Sequence, residues 1–140
     1  MEIIRRGIDQ LRIGFGEIRL RVDRLTLAKR RWRSVADDGR EFGFDLEEPL
    51  ADGSAFFTSE EHSYRIAQTA EPVLEVRLQE TPQAARLGWA IGNLHFALEV
   101  DGDCVRVADD QALRQLFGRE GIAFSEATAV FRPRASPHGH

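Results

Sequence analysis

The chain has 140 residues with 19 basic and 23 acidic side chains, a formal net charge of −4, and its single cysteine (Cys104) excludes an internal disulfide or a zinc site of four cysteines within one chain. The near-neutral balance argues against a strongly basic nucleic-acid binder, and no apolar run approaches the ~18 residues of a membrane span. The residues after Met1 lack the apolar stretch of a leader, so a cytoplasmic protein with one packed core or two is the starting expectation.

Residues 1–16 show no clean pattern, and Gly14 and Gly16 point to an irregular start. Ile18, Leu20 and Val22 alternate with Arg19, Arg21 and Asp23, the period-2 mark of a half-buried strand. Leu25 and Leu27 extend that strand after a shift of phase. Residues 32–36 and 42–46 flank Asp37-Asp38-Gly39, a hairpin composition, with Phe42, Phe44 and Leu46 on one face. Phe56 and Phe57 lead into a polar turn over 59–63, and Tyr64 and Ile66 follow on one parity. No helical period is convincing before residue 80.

The pattern changes near residue 70. Val73, Leu74, Val76 and Leu78 read as a strand. Thr81-Pro82 reads as a helix start with Thr81 as the cap, and Ala84, Leu87, Ile91 and Leu94 follow at helical spacing to a stop at Gly92-Asn93. Residues 95–100 read as a strand with Phe96, Leu98 and Val100 on one face and His95, Ala97 and Glu99 on the other. Asp101-Gly102-Asp103 turns the chain into a strand over 104–107. Asp109 or Asp110 caps a second helix carrying Leu113, Leu116 and Phe117, and Gly121 ends it. A last strand spans about 122–131, stopped by Arg132-Pro133.

This order predicts an α+β chain in two domains. Residues 1–70 form a β-rich N-terminal domain. Residues 71–133 form a ferredoxin-like βαββαβ domain with both helices on one sheet face. Residues 134–140 form a mobile tail with His138 and His140.

The charge is segregated. Residues 1–35 carry ten basic and four acidic groups, and residues 36–63 carry one and nine; a solvated surface is the favoured reading, with pairing of the two blocks or a free basic face as the alternatives. Catalytic signatures are missing. There is no Gly-x-Ser-x-Gly elbow and no phosphate-binding glycine loop, and the carboxylate pairs fall in turns or at a helix start. No enzyme activity is predicted. RNA binding is disfavoured because the strands expected at the sheet centre offer no stacking aromatics. His95, on an open sheet face, and the His138-Gly139-His140 tail are the candidate metal ligands; His62 and Cys104 have no evident role.

Three stretches together resemble the UreE family of urease accessory proteins, the nickel metallochaperones of urease maturation. They are Lys29-Arg30-Arg31-Trp32-Arg33 with Asp37-Asp38-Gly39-Arg40-Glu41-Phe42-Gly43, then Gly92-Asn93-Leu94-His95, then Phe131-Arg132-Pro133 before the histidine tail. Leu94 stands where the family often has arginine, and the tail carries two histidines rather than a long run. The resemblance implies an N-terminal domain like the peptide-binding domain of J-domain heat-shock chaperones and a C-terminal domain that forms a homodimer. It implies that His95 binds Ni(II) at the dimer axis, with His138 and His140 supplementing it, and that Zn(II) or Cu(II) suit the same ligands. The implied partners are the urease accessory GTPase and the urease preassembly complex, with no nucleic acid and no membrane. The alternative is a non-metal module that binds extended segments of a partner by strand addition.

Overall fold

Residues 1–8 and 16–133 are described by the computed structural model, in which the chain falls into two units, Met1–Thr69 and Ala70–His140. The fold is mixed α+β. No helix among the described residues is long and apolar enough to cross a membrane.

The first unit holds two three-stranded sheets. One has the order β1 (Glu2–Ile4), β4 (Glu41–Asp45), β3 (Arg31–Val35); the other has β2 (Gly16–Val22), β6 (His62–Gln68), β5 (Ala55–Thr58). The expected alternation in β2 holds, since Leu20 and Val22 are buried while Arg19 and Arg21 face out. Phe42, Phe44 and Leu46 are buried together with Phe56, Tyr64 and Ile66. Phe56 meets Phe42 edge-on at 5.0 Å between centroids and Phe44 at 5.2 Å, so the two sheets share one aromatic core. The hairpin loop uses Gly39 at φ 90, and the Asp38 carboxylate accepts from the Arg40 N–H and the Tyr64 hydroxyl.

The opposed charge blocks do pair. Asp45 meets Arg5 at 2.7 Å and Arg31 at 3.1 Å, and Asp37 meets Arg21 at 3.2 Å. These side chains are largely exposed, so each pair contributes only about 0–1 kcal/mol.

Two expectations fail here. The irregular start contains β1, which pairs in parallel with β4 (Glu2 opposite Phe42). Leu25 and Leu27 do not extend β2 but lie in a one-turn helix, α1 (Arg24–Leu27). Asp23 accounts for it: its carboxylate accepts from the Thr26 N–H at 3.0 Å and the Thr26 hydroxyl at 2.7 Å, which turns the chain.

The second unit runs β7 (Glu71–Arg77), α2 (Thr81–Asn93), β8 (Glu99–Asp101), β9 (Cys104–Ala108), α3 (Gln111–Glu120), β10 (Ser125–Ala129). The sheet order is β10-β7-β9-β8, with every neighbour antiparallel. Leu74, Val76, Val105 and Val107 form one buried sheet face, packed with Leu87 and Ile91 of α2 and Leu113, Leu116 and Phe117 of α3. Both helices therefore cover the same face.

The cap of α2 is Glu80, not Thr81, because the Gln83 side-chain oxygen accepts from the Gln79 N–H at 2.7 Å and the Glu80 N–H at 3.4 Å. Thr81 and Pro82 thus occupy the first turn. Asp110 caps α3, accepting from the Ala112 N–H at 2.8 Å. The last strand is shorter than expected at both ends, because Ile122 and Phe124 turn into the helix-covered core instead of continuing the ladder.

Candidate functional site

The strand expected over 95–100 is confined to Glu99–Asp101, and His95 is not its first residue. His95 lies in the turn that ends α2, with φ 64, the only non-glycine residue with positive φ among those described. Two hydrogen bonds define the turn. The His95 N–H donates to the Gly92 carbonyl at 2.9 Å, and the Phe96 N–H donates back to the Ile91 carbonyl at 3.3 Å. This is the Schellman arrangement, in which the left-handed residue falls just past the helix and is usually glycine or asparagine. Phe96 packs on the buried cluster that includes Ile91, as the residue after such a turn commonly does.

The helix does end at the glycine-asparagine pair, its last residue being Asn93, and the left-handed residue two positions on is the histidine itself. A side chain in that backbone region costs about 1–2 kcal/mol. The result is an imidazole held out into solvent on a rigid turn. Large apolar side chains near it in sequence are also exposed: Trp89 at 72%, Val100 at 61% and Leu94 at 37%. Val100 thus does not join Phe96 and Leu98 against the helices, because β8 is an edge strand too short to carry it under them.

Among the described residues no group of three or more histidine, cysteine and acidic side chains is placed to hold a metal. His138 and His140 lie outside the described residues. His62 stands at the first residue of β6, half-buried, with its ring against Gly16. Cys104 is half-buried beside Glu75. Burial, then the Glu75 charge, pushes its thiol pKa up, so near neutral pH it is a thiol rather than the thiolate a metal prefers.

The sheet face away from the helices carries a charged row. The register aligns Glu75, Arg106 and Glu99 across β7, β9 and β8. Arg106 reaches Glu75 at 2.6 Å and Glu99 at 3.2 Å, and the three side chains are only 24%, 14% and 17% exposed in the order Glu75, Arg106, Glu99. Hydrogen bonding to Glu75 raises the guanidinium pKa against the opposing effect of burial, with Glu99 adding to the rise. The central strands β7 and β9 thus present ion pairs rather than rings for bases to stack on.

The end of the chain crosses this same face, which sequence reasoning missed. Strand β10 is one edge of the sheet and β8 the other, yet the Arg132 N–H donates to the Glu99 carboxylate at 3.1 Å. The chain must turn back over the sheet after Ala129. Val73, which alternation places on this face, is fully buried, and Phe131 is 2% exposed. The available signal was a lone large apolar residue immediately before Arg132-Pro133. The direction of crossing is informative. Glu99 lies opposite Arg106, so the residues leading back to His95 run toward the Ala108 end of β9. Ala129 lies opposite Glu71, and Val73 opposite Ala108, so β10 finishes at that end too.

The family described as UreE urease accessory protein, C-terminal domain, matches residues 71–140. The chain is similar to proteins named urease accessory protein UreE from three bacteria. With that of Nitrosococcus oceani it is 32% identical over 111 residues, 78% of this chain and 66% of the relative. With that of Pseudomonas putida it is 31% identical over 138 residues, 89% of this chain and 79% of the relative. With that of Pseudomonas fluorescens it is 27% identical over 142 residues, 99% of this chain and 84% of the relative.

Proposed function

The chain belongs to the urease accessory protein UreE family, a family of accessory proteins rather than enzymes, and on that premise we propose that it is a nickel metallochaperone delivering Ni(II) to urease during urease maturation. The observation that carries the reading is His95, an exposed imidazole kept at a backbone position that favours glycine. Strain of this kind is tolerated where the side chain has a task.

The strand order β10-β7-β9-β8 supports reading residues 71–133 as a ferredoxin-like domain. The aromatic core and paired sheets of residues 1–70 support an all-β domain of the kind found in J-domain chaperones. The exposed Trp89, Leu94 and Val100 support a homodimer formed through the C-terminal domain. In an isologous dimer one residue meets its own copy, so two His95 side chains converge at the axis. Two imidazoles suit Ni(II), as they suit Zn(II) and Cu(II), and leave positions open. His138 and His140 of the tail, residues 134–140, fill some of them. An open site of this kind holds its cargo while remaining able to exchange ligands with a recipient. The partners are the urease accessory GTPase and the urease preassembly complex, in the cytoplasm.

Equilibrium titration with nickel tests the reading. The expectation is about one tightly bound ion per dimer, lost in His95→Ala, because the axis site needs both copies. Wild-type binding in that variant would overturn it.

A further inference from the structure

The β1-β4-β3 sheet turns one face to the aromatic core and the other to solvent, and the solvent face is not uniformly polar. We propose that this outer face docks an acidic protein segment, with an apolar side chain of the segment seated over Gly43 and its carboxylates on Arg33 and Arg31. The surface lies wholly within the first unit and stands apart from the nickel reading of His95.

Register builds the surface. Ile3, Gly43 and Arg33 lie side by side across the three strands, and Arg31 lies opposite Asp45 in the next outward row. Alternation puts them on the outer face, because Phe42 and Phe44 between them point into the core. Gly43 leaves a gap in the middle strand. Met1 and Ile3 lean over it from one side, where an added Cβ would lie 3.0 Å from Ile3 Cδ1 and 3.2 Å from Met1 Cε. Arg31 and Arg33 border the other side of a hollow of about 450 Å³. Met1 and Ile3 are 67% and 49% exposed, and Val35, further along β3, is 52% exposed. Apolar surface left open and rimmed by charge is the pattern of an interaction site.

Charge selects the occupant. Arg5 and Arg31 share the one carboxylate of Asp45, and among the described residues Arg33 pairs with no acidic side chain. That end of the face thus sets three guanidiniums against one carboxylate. Its other carboxylate, Glu41, lies at the opposite end, across from Val35. An acidic segment is attracted and oriented by this arrangement, and the arginine fork suits a carboxylate. A nucleic acid or an anionic membrane presents unbroken negative charge that would press on Asp45 and Glu41, whereas a peptide places its carboxylates selectively.

The test follows amide shifts in the isotope-labelled full chain during titration with end-capped hexapeptides. The acidic probe is Asp-Glu-Leu-Val-Asp-Glu. Its controls are Asn-Gln-Leu-Val-Asn-Gln, which lacks the charge, and Asp-Glu-Gly-Gly-Asp-Glu, which lacks the apolar side chains. The acidic probe is expected to shift Ile3, Gly43 and Arg33 saturably, and each control to bind about tenfold more weakly. Arg33→Glu is expected to weaken the acidic probe by about tenfold, with Arg33→Gln in between. Both exposed substitutions break no ion pair of the fold. Arg19→Glu makes the same charge change on the other sheet and is expected to alter binding by less than about twofold.

Unshifted amides at Ile3, Gly43 and Arg33 would overturn the proposal. So would equal binding of the uncharged control, or wild-type affinity in Arg33→Glu. Preference of these amides for a short single-stranded DNA or for phosphatidylserine vesicles would assign the face to another class of partner and overturn it. Shifts that grow with protein concentration alone would seat a second copy there, with the same consequence.

Discussion

Helices α2 and α3 lie on the same sheet face and end by the same device. At the end of α3, the Gly121 N–H donates to the Gly118 carbonyl and the Ile122 N–H to the Phe117 carbonyl; at the end of α2, His95 and Phe96 do the same to Gly92 and Ile91. The left-handed residue has φ 67 in one and φ 64 in the other. In both, the residue after the turn packs back on the helix within the core. The difference is the side chain. Gly121 occupies its position without steric cost, whereas His95 carries a Cβ where the backbone disfavours one. The α3 turn is therefore built for stability, and the α2 turn spends some stability to present an imidazole.

The comparison can be broken first at its apolar half. Phe117 and Ile91 are both fully buried and both supply the carbonyl that receives the returning N–H. Phe117→Ala and Ile91→Ala are each expected to cost about 3–5 and about 2–5 kcal/mol respectively, measured by chemical denaturation. A cost below about 1 kcal/mol at either would show that its turn is not held by core packing.

The next effect is smaller and isolates the backbone. An added Cβ at Gly121 meets nothing within 4 Å, so Gly121→Ala changes conformational energy alone. The expected loss is about 1 kcal/mol. The reciprocal change, His95→Gly, is expected to stabilise the metal-free protein by up to about 1 kcal/mol while abolishing nickel binding. A destabilised His95→Gly protein would mean that the imidazole makes a stabilising contact and is not held under strain.

The smallest expected effect separates the beginnings of the two helices. The start of α2 is closed by a reciprocal box of the Gln83 amide and the Glu80 carboxylate, whereas Asp109, just before α3, binds Arg114 at 2.7 Å. Hydrogen bonding to Arg114 lowers the Asp109 pKa from its usual value. A lowered folded pKa means that the contribution is present above the unfolded value of about 3.9 and is lost as pH falls through the folded one. In acid, amides at the start of α3 should lose hydrogen-exchange protection as Asp109 protonates, and Asp109→Asn should reduce that pH dependence. An unchanged pH dependence in Asp109→Asn would refute it.

Much of this was legible because it is local. The alternation through Leu20 and Val22, the Asp37-Asp38-Gly39 hairpin, the Asp110 cap and the Gly121 stop each depend on a few neighbouring residues. The failures share the opposite property. Nothing near Glu2 announces that it will pair with Phe42. The segment after β10 reads as a polar ending until Glu99, far away in sequence, supplies its acceptor. The candidate site was half-legible: Gly92-Asn93-Leu94-His95 pointed to His95 by resemblance, but not to the left-handed turn position that the histidine occupies. The Glu99 carboxylate looked like one more solvated charge, because its partners Arg106 and Arg132 are visible only once the register is known.

The parallel pairings of the first unit also bear on how the chain is made. Strand β1 has no partner until β4 exists, and β2 none until β6 exists. On a ribosome that releases the N-terminus first, both strands emerge with unpaired edges and wait for later residues. Only the β3–β4 and β5–β6 hairpins form from neighbouring sequence. Assembly of this unit is thus dominated by contacts distant along the chain, which places it among the slower-closing topologies. Met1 and Ile3 pack over Gly43 once β1 docks, so the earliest of the described strands is seated late.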